Sequence, residues 1–278
     1  MKFSVSHLTS GKAKAALLTM MFLLTIVPTM LLTSPAKALF GSSFDKYEGN
    51  PLTTIPAYGA SGVVHPDVLY FSGGMDGYKY WMVYTPYPPQ AKENPSVVRS
   101  NDGITWTDSG IINPVIPQGT PGAWNDLENP DPDFTYVSDY NKWFLIWDGG
   151  DQATNSRKLA LAYSSDGKTW TQYDGALVNG NPNPIILSGD DYGGQSWERA
   201  GSISKTSCPT LLYENGIFTL YYVEEASGNN NGQVGFATFT WNDATHSVEN
   251  IVRYNNNPTI DLGCGHIDLS KKDNVYYL

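Results

Sequence analysis

Ser100-Asn101-Asp102-Gly103-Ile104-Thr105-Trp106 recurs as Ser164-Ser165-Asp166-Gly167-Lys168-Thr169-Trp170, a repeated tight-turn signature. Asp and Gly supply a tight hairpin turn, the glycine taking the positive φ that other residues resist. The Trp starts the outgoing strand and covers the hairpin. One such turn is a weak signal, but two copies at the same place in two longer units mark a repeat architecture.

The longer unit opens with an x-Pro pair that leads into a strand. His65-Pro66-Asp67-Val68-Leu69-Tyr70 matches Asp131-Pro132-Asp133-Phe134-Thr135-Tyr136 and Cys208-Pro209-Thr210-Leu211-Leu212-Tyr213; Gly265-His266-Ile267-Asp268-Leu269 is a weaker fourth opening. After each of the first three comes a turn (Gly73-Gly74, Asp139-Tyr140-Asn141, Asn215-Gly216) and a second, aromatic strand such as Tyr80–Tyr84 or Trp143–Trp147. In two units the Asp-Gly hairpin then joins a third strand to a fourth. Four antiparallel strands per unit is a propeller blade. The expected fold is therefore all-β, with blades starting near 65, 131, 208 and 266. The last blade stops at Tyr276-Tyr277-Leu278, so the chain is expected to be truncated in its fourth blade.

Residues 1–38 read as a signal peptide. Lys2, Lys12 and Lys14 precede an apolar run from Ala15 to Leu32, and Ala36-Lys37-Ala38 fits the small-x-small cleavage rule. The run approaches spanning length, so a membrane anchor is the rival reading. The propeller domain then covers 39–278, the chain is expected outside the cell, and no stable membrane insertion follows cleavage. Four lysines leave with the leader, so 13 of the 17 Lys and Arg remain against 27 Asp and Glu, a net charge of −14. Such a surface repels nucleic acid.

The x-Pro openings and Ser-x-Asp-Gly-x-Thr-Trp hairpins resemble the five-bladed glycoside hydrolases, the clan of β-fructosidases, arabinanases and xylosidases. The resemblance spans 62–278 at the level of blade pattern. It implies a five-bladed ring acting on poly- or oligosaccharide, with catalytic carboxylates at the starts of innermost strands. Asp131 falls on the clan's second-blade Asp. His65 stands where the first-blade Asp is expected, and Ser207-Cys208 where the third-blade Glu is expected.

The remaining carboxylates must come from positions sharing the pocket mouth. Asp67 lies two residues beyond His65, on the same strand face. Second strands end at Trp147-Asp148 and Glu224-Glu225, and long loops carry Trp124-Asn125-Asp126-Leu127-Glu128 and Gln195-Ser196-Trp197-Glu198-Arg199. Glycosidic cleavage needs one carboxylic acid and a second carboxylate. The catalytic candidates are His65, Asp67, Asp131, Glu198 and Glu225, with Glu93 a further candidate acid. The substrate-binding candidates are Trp124, Trp197, Arg199, Asp148 and His266. Asp67 and Asp133 have a structural alternative, hydrogen bonding to neighbouring backbone in the central channel. His65 and His266 recur as His-x-Asp and could share a water or cation on the axis. No metal or cofactor motif is present, although calcium would suit the Asp oxygens. Cys208 and Cys264 either pair or remain thiols. The two functional readings are a secreted glycoside hydrolase and a non-catalytic glycan- or surface-binding propeller.

Overall fold

The computed structural model describes residues 46–87, 92–176, 182–183, 185–191, 193–201, 203–224, 232–260, 263 and 265–278. The expected leader, Glu225 and Cys264 lie outside the described residues. By contacts the chain divides into Met1–Asn50 and Pro51–Leu278, and every strand among the described residues lies in the second unit. None of the described helices is long and apolar enough to cross a membrane.

The fold is all-β and of propeller type. Blade one is the antiparallel sheet β1 (Gly62–Met75), β2 (Tyr78–Tyr87) and β3 (Ser96–Ser100), completed by an Arg99–Thr107 bridge. Blade two is β4 (Asp133–Val137), β5 (Lys142–Gly150) and β6 (Arg157–Ser164), with β7 (Thr171–Gln172) and β10 (Ile185–Leu187) sharing the outer edge of β6. Short pairs β8 (Gly175–Ala176) with β9 (Pro182–Asn183), and β11 (Arg199–Ala200) with β12 (Ile203–Ser204), decorate the connection onward. Blade three runs in sequence order through β13 (Thr206–Glu214), β14 (Ile217–Glu224), β15 (Gln233–Asn242) and β16 (Ser247–Arg253). The hairpin of β17 (Ser270–Lys272) and β18 (Val275–Tyr277) follows.

Strand alternation explains how the blades pack. On β5, Phe144 and Ile146 point one way into a core with Leu211, Phe218, Leu220 and Tyr222 of blade three. Trp143, Leu145 and Trp147 point the other way, against Trp81, Val83 and Val97 of blade one. Both faces of blade two are thus buried, which is why β5 reads as an unbroken apolar run.

The two Asp-Gly hairpins are built alike. Asp102 Oδ1 accepts the backbone N–H groups of Ile104 and Thr105 at 2.8 and 2.7 Å, and Asp166 Oδ1 accepts those of Lys168 and Thr169, both at 2.8 Å. In each, the Trp indole donates to the Gly carbonyl, Trp106 to Gly103 and Trp170 to Gly167. Their surroundings differ. A Cβ on Gly103 would come no nearer than 3.9 Å to Tyr80, whereas one on Gly167 would meet Trp81 at 2.8 Å.

The x-Pro openings do two further jobs. His65, Asp131 and Cys208 all have positive φ, at 53°, 53° and 46°. Proline bars the preceding residue from the right-handed helical region and brings no N–H to the ladder. The β1–β2 register shifts between Val64 and Asp67, and the β13–β14 register between Ser207 and Thr210. Two residues on, each inner strand clasps the next: Asp67 accepts from Phe134 N at 3.1 Å, Asp133 from Leu211 N at 3.3 Å, and Thr210 Oγ1 from Leu269 N at 3.0 Å.

Candidate metal centre on the propeller axis

The repeated openings converge on one cavity of about 280 Å³. It is lined by His65-Pro66-Asp67, Asp131-Pro132-Asp133, Cys208-Pro209 and His266-Ile267-Asp268. The first three stretches each begin with a positive-φ residue, and at His65 and Cys208 that residue falls in a break of the strand register.

Asp131 is the hub. Its Oδ1 lies 2.9 Å from His65 Nδ1 and 3.3 Å from His266 Nε2, and its Oδ2 accepts from Cys208 Sγ at 3.1 Å. The two imidazoles stack, with ring centroids 4.6 Å apart. His65 Nε2 faces Glu93 Oε2 at 3.4 Å, and Thr85 Oγ1 donates to that same oxygen at 3.2 Å. The His65 and Asp131 side chains are largely enclosed, while that of His266 is 60% exposed and forms the open side.

Burial alone would neutralise these groups, but their partners prevail. Burial disfavours the His65 charge, yet hydrogen bonds to Asp131 and Glu93 raise its pKa to about 10. Burial likewise works against the Asp131 carboxylate, and His266 and His65 hold its pKa well below the usual range. The clasp carboxyls behave oppositely. Burial, with the nearby Asp268 charge, raises Asp67 to about 7 despite the Phe134 N–H. Burial and then the Asp67 charge raise Asp133 well above its ordinary value. Both line the cavity, yet each has an oxygen committed to the neighbouring blade.

Of the sequence candidates, the structure brings His65, Asp67, Asp131 and His266 together at the cavity and leaves the other described ones outside its lining. Asp148 lies beside Asp131, fully buried, with Oδ2 held by Arg157 Nη1 at 2.7 Å. Burial raises its pKa, and the Arg157 charge opposes that. Arg157 also reaches Glu128 Oε1 at 3.0 Å. Trp124 is not an open platform: its ring lies on Gly149, where a Cβ would come within 1.9 Å. Trp197 stacks on Tyr222 at 5.5 Å and leans on Gly235. Glu198 is fully buried, accepting from Tyr222 Oη, from Arg253 Nε at 2.8 Å and from Gln195 N at 2.6 Å. Arg199 pairs with Asp190 at 3.1 Å.

Several partners were hidden from sequence reasoning. Arg157 and Arg253 sit in no repeated motif, and their roles depend on which buried acids the folded chain brings to them. The contact of Cys208 with Asp131 had one available signal: both occupy the x of an x-Pro opening.

His65, Asp131 and His266 place one donor atom each within 4.8 Å of one another. Donors bound at 2.0–2.2 Å to a tetrahedral ion stand about 3.3–3.6 Å apart. Asp131 Oδ1 meets that spacing to His266 Nε2 at 3.3 Å and falls about 0.4 Å short of it to His65 Nδ1 at 2.9 Å. The outer partners also fit. Glu93 faces the second His65 nitrogen and Cys208 holds the second Asp131 oxygen, as carboxylate and donor supports commonly do around a metal. Two imidazoles and one carboxylate suit a transition ion rather than calcium, which takes six to eight oxygens.

No protein-family profile matches the chain. The chain is 28% identical over 200 residues to the A type blood N-acetyl-α-D-galactosamine deacetylase of Flavonifractor plautii, a match covering 65% of this chain and 25% of that protein. It thus spans about a quarter of the length of the curated relative it matches. Among solved structures, it is similar to an N-acetylgalactosamine deacetylase from F. plautii in complex with blood group B trisaccharide, at 23% identity and a TM-score of 0.49, covering 75% of this chain and 58% of that one. It is also similar to an α-L-arabinofuranosidase from Lactobacillus brevis, at 16% identity and a TM-score of 0.49, covering 76% and 62%. A family 117 glycoside hydrolase of Zobellia galactanivorans is similar at 17% identity and a TM-score of 0.49, covering 79% and 60%.

Proposed function

We propose that this chain is a carbohydrate-active hydrolase of the cell exterior that removes an N-acyl group from an amino sugar at a divalent metal site. The observation that carries the reading is the convergence of His65, Asp131 and His266 on one open cavity. The deacetylase name of the curated relative supplies the bond class. The basic, apolar leader with its Ala36-Lys37-Ala38 site supports export.

A divalent ion there would polarise the amide carbonyl and lower the pKa of bound water. The chain's own residues do the rest. Asp131 brings a carboxylate already held in its charged form. Glu93 takes the outer N–H of His65 and so sets which ring nitrogen faces the cavity. His266, on the exposed side, faces the incoming sugar. Asp67 and Asp133 hold adjacent blades at fixed spacing beneath them.

Glycoside cleavage by paired carboxylates is the second reading, favoured by Glu93 and Asp131 flanking His65. The deciding experiment offers an oligosaccharide ending in an N-acetylhexosamine to the full chain, with and without Zn²⁺ or a chelator. Acetate release that the chelator abolishes is the expected result. New reducing ends without acetate would replace this reading with glycoside hydrolysis. Saturable binding with no product would make the chain a glycan-binding propeller.

A further inference from the structure

The x position of each blade opening faces the axis, and three of the four supply His65, Asp131 and His266. The blade-three residue is Cys208. Cysteine has little intrinsic reason to be there. Positive φ is tolerated best by Gly and Asn, and next by Asp and His, whereas Cys208 holds φ at 46°. Strain of that kind persists where the surroundings over-determine it. Here an apolar wall of Val223 and Val234, with Ile260 and Ile267 packed alongside, encloses a side chain that is only 3% exposed. The sulfur is aimed at Asp131 Oδ2, 3.1 Å away.

We propose that Cys208 is a positioning residue of the axial site. Its thiol proton, donated to Asp131 Oδ2, sets the plane of the carboxylate so that Oδ1 faces both imidazoles. The inference rests on the divalent-metal reading of this site, while the hydrogen bond itself stands without an ion. A thiol is suited to the task because its weak S–H is strengthened by a charged acceptor. Its small, apolar body also packs with Val223, Val234, Ile260 and Ile267. Without the donor, the carboxylate gains freedom to rotate, and Oδ1 is no longer held between His65 and His266. Outer-sphere supports of this kind commonly change metal affinity by about 10- to 100-fold.

Two measurements test this on the full-length chain. The first needs no metal. In a Cys264→Ser protein Cys208 is the only thiol, because the sequence holds two cysteines. Its S–H stretching band is expected at lower frequency in the folded protein than in the urea-unfolded one, and to return toward the unfolded position in Asp131→Ala. Equal frequencies folded and unfolded would overturn the proposal. The second measurement titrates Co²⁺ into wild type, Cys208→Ala and Cys208→Ser, following the visible absorption of the ion. Cys208→Ala is expected to bind about tenfold more weakly, and Cys208→Ser within about threefold of wild type. Wild-type affinity in Cys208→Ala would also overturn it. A wild-type protein that binds no Co²⁺ removes the metal reading instead, and the S–H band alone then decides whether Cys208 orients Asp131.

Discussion

Glu198→Gln is expected to cost stability and to leave chemistry intact in the protein that remains folded. The carboxylate is fully buried and accepts three hydrogen bonds, from Tyr222 Oη, Arg253 Nε and Gln195 N. Replacing it with an amide removes the charge-assisted bond to Arg253, about 1.5–3 kcal/mol. The new NH₂ group must also face one of the former donors, stranding a buried polar group at about 1–3 kcal/mol. Arg253 is not abandoned, because Nη2 keeps Asp191 Oδ1 and Ser188 O, each at 2.6 Å. The sum is about 2.5–6 kcal/mol. At about 2–4 °C per kcal/mol for a domain of this size, the melting temperature should fall by about 5–24 °C. Urea and thermal unfolding of the variant supply the measurement, with turnover assayed well below its midpoint. A variant that melts within about 2 °C of wild type but has lost turnover would refute the reasoning, placing Glu198 at the reacting centre.

Three further outcomes follow from the same geometry. His266→Ala should weaken Zn²⁺ or Co²⁺ binding by more than the about 10-fold minimum seen for outer-sphere supports, read by calorimetry, with little change in melting temperature because the side chain is largely exposed. The pKa of His65 is raised in the folded chain to about 10. Its contribution to metal-free stability is therefore full below an unfolded pKa of about 6.5 and is lost as pH rises through the folded value. An ion must displace that proton, so affinity should increase with pH, by up to about tenfold per unit below pH 10; a pH-independent affinity measured from pH 6 to 9 would count against His65 as a ligand. Gly103→Ala and Gly167→Ala impose the same positive φ, at a cost of about 1–2 kcal/mol each. Gly167→Ala also drives a Cβ to within 2.8 Å of Trp81 and 3.0 Å of Trp143, so it should be worse by a further 1–3 kcal/mol or so in urea unfolding.

How much of this was legible beforehand depended on whether a residue's role was local. The Asp102 and Asp166 turns are closed by residues two and three positions away, so their sequence carries the whole interaction. The alternation of Trp143, Leu145 and Trp147 against Phe144 and Ile146 similarly encodes two buried faces. Asp67 and Asp133 were legible as a choice between catalysis and backbone support, and the inter-blade bonds to Phe134 and Leu211 make that choice concrete. Trp197-Glu198-Arg199 had the composition of a sugar-binding loop. Its chemistry is decided by Tyr222 and Arg253, which lie 24 and 55 residues from Glu198.

Hairpins, alternation and x-Pro openings act over a few residues, so the blades, their order and the three x-Pro openings are legible from the residue order alone. Which side chains meet at the cavity is a long-range matter. Asp131 is joined to His65 from 66 residues upstream, to Cys208 from 77 downstream and to His266 from farther still. That meeting depends on how each blade rotates its first strand onto the common axis, a property of the packing between blades rather than of any one segment.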